Sequence, residues 1–200
     1  MQRGLTAHPL LVLFAKAPVR GTVKTRLARA IGDAAALEFH RHTLEQTASR
    51  LRDQPGWNLL LAVTPDDAPE RLWPGGIARE GQGDGDLGQR MGRLLARARP
   101  NAPVAIVGSD IPALDRPHVA RAFDLLRTHD LVQGPAGDGG YWLIGAAAPP
   151  PACLFDAVRW SSAHTRADTL ANASGLRVGL ADLLDDVDDA TGYARWRGRA

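Results

Sequence analysis

Four cations fall within eleven residues early in the chain: Lys16, Arg20, Lys24 and Arg26. They follow a continuous apolar run, Leu10-Leu11-Val12-Leu13-Phe14, and share their stretch with Pro18 and Gly21, which turn the chain. Cations between a strand and a helix N-terminus suit phosphate, because free backbone N–H groups and the helix dipole attract the anion while Lys and Arg neutralise it. Any one of the four reads better as a solvated charge. Four directly after an apolar strand read as a site.

The acids come in three places. Val104 to Val107 is an apolar strand that runs into Gly108-Ser109-Asp110, and Pro112 then stops ladder pairing. In open α/β sheets ligands bind beyond the carboxyl ends of the strands. Asp110 thus stands where an oxygen ligand to Mg²⁺ or Mn²⁺, held against a diphosphate, is expected. As a cap for a helix near Asp115 it lies too far upstream. In the stretch Gln133 to Trp142, Gly137, Gly139 and Gly140 permit close backbone approach to a ligand. Asp138 within it is either a ligand-facing carboxylate or the turn of a glycine-rich hairpin. In Asp185-Asp186-Val187-Asp188-Asp189, alternation on an extended segment points Asp186 and Asp188 the same way, which suits a divalent cation. A solvated acidic turn capping the last helix is the plainer reading.

Other candidates are weaker. Gln82 to Arg90 resembles a calcium loop but has Leu95 at the twelfth position where an acid is required. Asp86 there is either a helix N-cap or part of a loop closing on a base or sugar. His40 and His42, two apart on a helix, do not share a face, and His164 reads as solvated. Gly21 to Thr25 is too short for a phosphate-binding loop of Walker type, and no G-x-S-x-G elbow occurs.

These residues need a frame. Strands are expected at about Leu10–Phe14, Trp57–Val63, Val104–Val107, Leu131–Gln133, Tyr141–Ile144 and Leu176–Leu180. Helices are expected from Thr22 as N-cap, from Asp33 as N-cap to about residue 52, over 86–99, from 115 or 116 to 128, over 165–173 and over 190–197. Residues 65–85, rich in Pro, Gly and Asp, read as irregular, 146–152 as a linker and 1–9 as a loose leader. Strands alternating with helices imply a Rossmann-like α/β/α sandwich around a mostly parallel sheet, in a single domain over 1–200.

Composition narrows the classes. The chain has 200 residues, 44% hydrophobic and 23% charged, with a formal net charge of +2. Near-balanced acids and bases make the pI of 9.1 a poor guide to basicity. No basic block is interleaved with aromatics, which disfavours nucleic acid as a partner. No segment approaches the ~20 apolar residues of a membrane span, and the first apolar run is too short for a signal peptide. The lone Cys153 excludes an internal disulfide and a CxxC metal site, fits a reducing cytoplasmic location, and reads as a packed structural residue. Oligomeric state is not readable.

Together the segments FAKAPVRGTVKTRLA, GDGDLGQRM, VGSDIPAL, GPAGDGGYWLIG, Trp160-Ser161 and LLDDVDD resemble the DUF2064 family of glycosyltransferase-A-like proteins, in order over about residues 10–196. The resemblance implies the nucleotide-diphospho-sugar transferase fold, whose superfamily holds both glycosyltransferases and nucleotidyltransferases. It further implies that Lys16, Arg20, Lys24 and Arg26, on the loop turned by Gly21, hold nucleotide phosphates, with Ser109 and Asp86 at the nucleotide. Asp110 takes the place of the acidic metal ligand. Only one Asp stands at this motif, so Asp188, or else Asp138, supplies the second carboxylate to Mg²⁺ or Mn²⁺. The expected partners are a nucleotide or nucleotide sugar and a small acceptor, with Asp110, Asp138 and Lys24 as the catalytic set. The expected reaction is sugar transfer from a nucleoside-diphosphate sugar. Nucleotidyl transfer with pyrophosphate release is the alternative, and a non-catalytic nucleotide-binding module a third reading.

Overall fold

Buried apolar runs set the frame. The computed structural model describes residues 8–198, so most of the loose leader expected over 1–9 lies outside the described residues. Strands β1 (Leu10–Lys16) and β4 (Val104–Gly108) lie side by side at the centre. Leu11, Val12, Leu13 and Val104 to Val107 are all buried, as parallel strands covered on both faces require. β2 (Asn58–Thr64) and β3 (Ala78–Gly81) extend the sheet on one side; β6 (Tyr141–Ala146), β5 (Leu131–Pro135) and β7 (Val178–Leu180) extend it on the other. The order is β3-β2-β1-β4-β6-β5-β7. β6 alone runs antiparallel to its neighbours β4 and β5; the other pairings are parallel. This is the mostly parallel mixed sheet of the nucleotide-diphospho-sugar transferase fold.

Helices cover both faces. On one, Leu11, Leu13, Leu61 and Val107 pack with residues of α2 (Asp33–Leu51) and α4 (Arg116–Leu125). On the other, Val12, Leu60, Ile106 and Ile144 pack against α3 (Leu87–Leu95), with α5 (Thr165–Asn172) on the same side. A third cluster joins α1 (Thr25–Ile31), α2 and α6 (Ala190–Arg197): Leu27 and Phe39 are buried with Val187, and the Phe39 ring meets Tyr193 and Trp196 edge-on at 5.4 and 5.0 Å.

Several local expectations are corrected. Helix α1 starts at Thr25, not at a Thr22 cap, because the Thr22 hydroxyl donates to the Val19 carbonyl and closes its own turn. Asp33 is the first residue of α2, and Gly32, at φ 84°, precedes it as cap. The stretch 65–85 contains the edge strand β3, whose Ala-Arg-Glu-Gly sequence has no apolar run. α3 and α4 stop at Leu95 and Leu125, short of the ends expected at 99 and 128. Cys153 is exposed rather than packed, since it falls in a surface 3-10 turn, Ala152–Phe155.

Candidate functional site

The carboxyl ends of β1 and β4 face a cavity of about 560 Å³. Its lining combines Asp110, Asp138, Asp186, Asp188 and Arg26 with the apolar and aromatic side chains of Phe14, Met91, Ile106, Ile144, Tyr141 and Trp160. The four acids arrive by three routes. Asp110 follows β4; the helix cap nearby is Asp115, whose carboxylate accepts from the Arg116 N–H, so Asp110 stays free for the site. Asp138 sits in the β5–β6 hairpin, with its Oδ1 2.8 Å from the Gly140 N–H. It is therefore a turn residue that also lines the cavity. Gly139 has φ +89° there, and a Cβ would fall within 3 Å of the Ala163 backbone, so this turn needs glycine. Asp186 and Asp188 ride an extended strap after β7, bound to the Asp110 segment by the Val187 N–H to Asp110 carbonyl bond of 3.2 Å.

Lys24 joins these acids. Its Nζ lies 2.8 Å from Asp110 Oδ2 and 3.6 Å from Asp188 Oδ1, and its side chain is 4% exposed. Its backbone is left-handed (φ 49°, ψ 39°) at the N-cap of α1. Arg26 reaches Asp188 Oδ2 at 3.2 Å. Burial opposes a charged Lys24, but Asp110 beside it, with Asp188 and Asp186 farther off, raises its pKa above the usual lysine value. Burial likewise opposes a charged Asp110, and Lys24 overcomes this and holds the carboxyl below the usual range. Asp186 is relieved by Lys24 only in part. Burial first, then Asp110 and Asp138, push it up to about 6.

The other expected site residues are placed elsewhere. Lys16 Nζ donates to the Thr22 carbonyl at 2.7 Å, bracing the loop. Arg20 and Gly21 are exposed, with Gly21 at φ 77° in the turn. Ser109 is buried and does not line the cavity. Asp86 caps α3, accepting from the Gln89 N–H at 2.8 Å, and lines a separate groove. Sequence reasoning missed His40. It is buried beneath the loop with Nε2 3.0 Å from the Lys16 carbonyl, and burial pushes its pKa down. It read Phe14 and Ile106 only as parts of apolar strands, and Met91 and Trp160 only as parts of the segments that carry the family resemblance; all four line the cavity.

Among the described residues no three His, Cys, Asp or Glu side chains are spaced to hold a metal ion by themselves. Mg²⁺ ordinarily uses one or two carboxylates, with substrate phosphate and water completing its shell. The all-oxygen donors Asp110 and Asp188, and the surplus negative charge that raises Asp186, fit that kind of ion. No helix of the described residues is long and apolar enough to cross a membrane.

Comparison with known proteins bears on the family and the fold. A family model described as "Uncharacterized protein conserved in bacteria (DUF2064)" matches residues 43–162. No curated protein matches the sequence. Among solved structures, a proposed nucleotide-diphospho-sugar transferase from Desulfovibrio desulfuricans G20 is similar at a TM-score of 0.81 and 29% identity, over 90% of this chain and 82% of that one. Rv0371c from Mycobacterium tuberculosis H37Rv, in complex with manganese, is similar at a TM-score of 0.54 and 16% identity, over 96% of this chain and 100% of that one. The 4-diphosphocytidyl-2C-methyl-D-erythritol synthase of Anaerococcus prevotii DSM 20548 is similar at 0.58 and 10%, over 96% of this chain and 97% of that one. The last two likenesses bear on fold alone.

Proposed function

Since this chain belongs to the DUF2064 family and has the nucleotide-diphospho-sugar transferase fold, we propose that it transfers a sugar from a nucleoside-diphosphate sugar to a small acceptor. The observation that carries this reading is the pairing of Lys24 and Arg26 with Asp110 and Asp188 at a cavity that Asp138, Asp186 and a set of apolar and aromatic side chains also line. Cavities of roughly 300–1,000 Å³ hold small ligands and cofactors, and this one is about 560 Å³. Lys24 and Arg26 stabilise the departing diphosphate as charge develops on it. Asp138 orients the acceptor hydroxyl and takes its proton. Phe14, Tyr141 and Trp160 stack against the flat or apolar faces of the bound molecules and exclude water. Asp110 and Asp188 would hold Mg²⁺ or Mn²⁺, which supplies Lewis-acid neutralisation of the diphosphate.

Nucleotidyl transfer is the second reading, and one observation favours it. Among the described residues Arg20 is exposed and forms no ion pair, which leaves a further cation on the same loop for a longer phosphate chain.

A thermal-shift panel tests both. Nucleoside triphosphates and nucleoside-diphosphate sugars are each added with and without Mg²⁺ or Mn²⁺. A ligand at 100 times its Kd stabilises by about 2.7 kcal/mol. Metal-dependent stabilisation by a sugar nucleotide is the expected result. Stabilisation by one triphosphate alone selects nucleotidyl transfer, and silence across the panel overturns both readings.

A further inference from the structure

The two carboxylates assigned to the metal are already engaged by cations of the chain. Lys24 Nζ lies between them, 2.8 Å from Asp110 Oδ2 and 3.6 Å from Asp188 Oδ1. The second oxygen of Asp188 faces Arg26 at 3.2 Å. The Lys24 side chain is nearly sealed from solvent, and its anchor is a left-handed cap without a side-chain hydrogen bond. The segments bearing the two acids are joined by the Val187-to-Asp110 backbone bond, so the acids cannot simply move apart to admit a second cation. A dication approaching them meets the positive charge of Lys24 and competes with it for Asp110 Oδ2.

We infer that Lys24 guards the metal carboxylates: the free protein binds Mg²⁺ or Mn²⁺ weakly, and the ion enters only when a ligand phosphate draws the Lys24 ammonium off Asp110 and Asp188. This rests on the reading of the cavity as a nucleotide-diphosphate site. It makes binding ordered, with the metal arriving together with the nucleotide or after it. It also explains why the cation nearest the acids is a Lys. A flexible point charge exchanges one anion for another more readily than a planar guanidinium forked onto a carboxylate.

The test is Mn²⁺ binding to the nucleotide-free protein, read from the loss of the free-ion electron paramagnetic resonance signal. Wild type is compared with Lys24→Met and Lys24→Gln. The glutamine amide still donates to Asp110, which keeps one variant folded if methionine leaves the acid too exposed to its neighbours; thermal melts verify folding. Both variants are expected to bind Mn²⁺ roughly 5- to 150-fold more tightly than wild type, the usual range of coupling between sites. Equal affinity in wild type and the folded variants overturns the inference. The thermal-shift panel fails independently. Tighter Mn²⁺ binding by the variants with no nucleotide response in wild type keeps the guarding role and discards the transferase reading. A nucleotide response with unchanged Mn²⁺ affinity does the reverse.

Discussion

Two kinds of ion pair occupy this molecule, and they are built differently. Asp130 meets Arg177 through a fork, with Nε 3.1 Å from Oδ2 and Nη2 3.0 Å from Oδ1, and the Arg177 N–H adds a third bond. Asp168 meets Arg159 in the same way, at 2.9 and 2.7 Å, with the Arg159 N–H as third donor. Each of these acids has one cation and a full set of donors, and hydrogen bonds from Arg177 hold Asp130 down to about 2. The cavity is the opposite case. Asp110, Asp138, Asp186 and Asp188 face Lys24 and Arg26, and the surplus charge shows in Asp186, pushed up to about 6 by burial and by its acidic neighbours. A closed pair ties a strand or helix end in place. An unbalanced cluster is finished only by something that binds, and such perturbed groups gather at functional sites.

The comparison is sharpened most by Asp110→Asn. It keeps the shape of the site and removes the charge that Lys24 faces. Turnover should fall about 10²- to 10³-fold, the usual cost of one preorganised electrostatic group, in a steady-state assay with whichever nucleotide the panel selects. Full activity would remove Asp110 from the chemistry. Next in size is Gly139→Ala, which tests whether the acid cluster depends on backbone rather than on pairing. Its positive φ alone costs about 1–3 kcal/mol, and the new methyl group also meets the Ala163 backbone. Urea unfolding should report that loss, and a neutral result would mean the hairpin can re-form around Asp138 without strain.

Asp186→Asn is smaller and depends on pH. The carboxyl sits at about 6 in the folded protein against 3.8 for the ordinary group, so the native state holds the proton more tightly. The stability this gives is complete below about pH 3.8 and is lost as pH rises through 6. In metal-free buffer at pH 7.5 the amide should therefore be more stable than wild type by about 1–2 kcal/mol, a figure already reduced for partial exposure. The gain should vanish near pH 4 in paired thermal melts. Asp130→Asn marks the other end of the scale. It opens a closed pair far from the cavity, and nucleotide affinity by titration calorimetry should not change. A change would mean that the two kinds of pair are coupled.

The parts legible in the sequence were those whose physics is local. Leu10–Phe14 and Val104–Val107 are too apolar to lie anywhere but in the centre of a covered sheet, and both do. The alternation of Asp186 and Asp188 suggested a shared direction, and both line the cavity. The strand β3 was not legible, because a short edge strand carries no apolar signature: Ala-Arg-Glu-Gly is three-quarters surface in character. The position of β6 between β4 and β5, which brings Asp138 alongside Asp110, is a matter of topology that no window of residues encodes. The division of the basic loop was also hidden. Lys24 and Arg26 turn toward the acids while Lys16 bonds the Thr22 carbonyl, and that split follows from the left-handed turn at Lys24. Asp86 was readable in both its roles, and the capping geometry is the one the structure uses.

The contact between Arg26 and Asp188 spans 162 residues of sequence, and that between Lys24 and Asp110 spans 86. Contacts this distant form only after the chain entropy between them has been spent on nearer ones. The β1–β4 pair, which joins Leu10 to Val104, carries Lys24 and Asp110 to the same end of the sheet, whereas the Arg26–Asp188 contact needs the strap as well. A chain stalled before residue 186 would hold Lys24 and Asp110 but neither strap acid, and would lack Val187 and the α6 rings that cover Phe39.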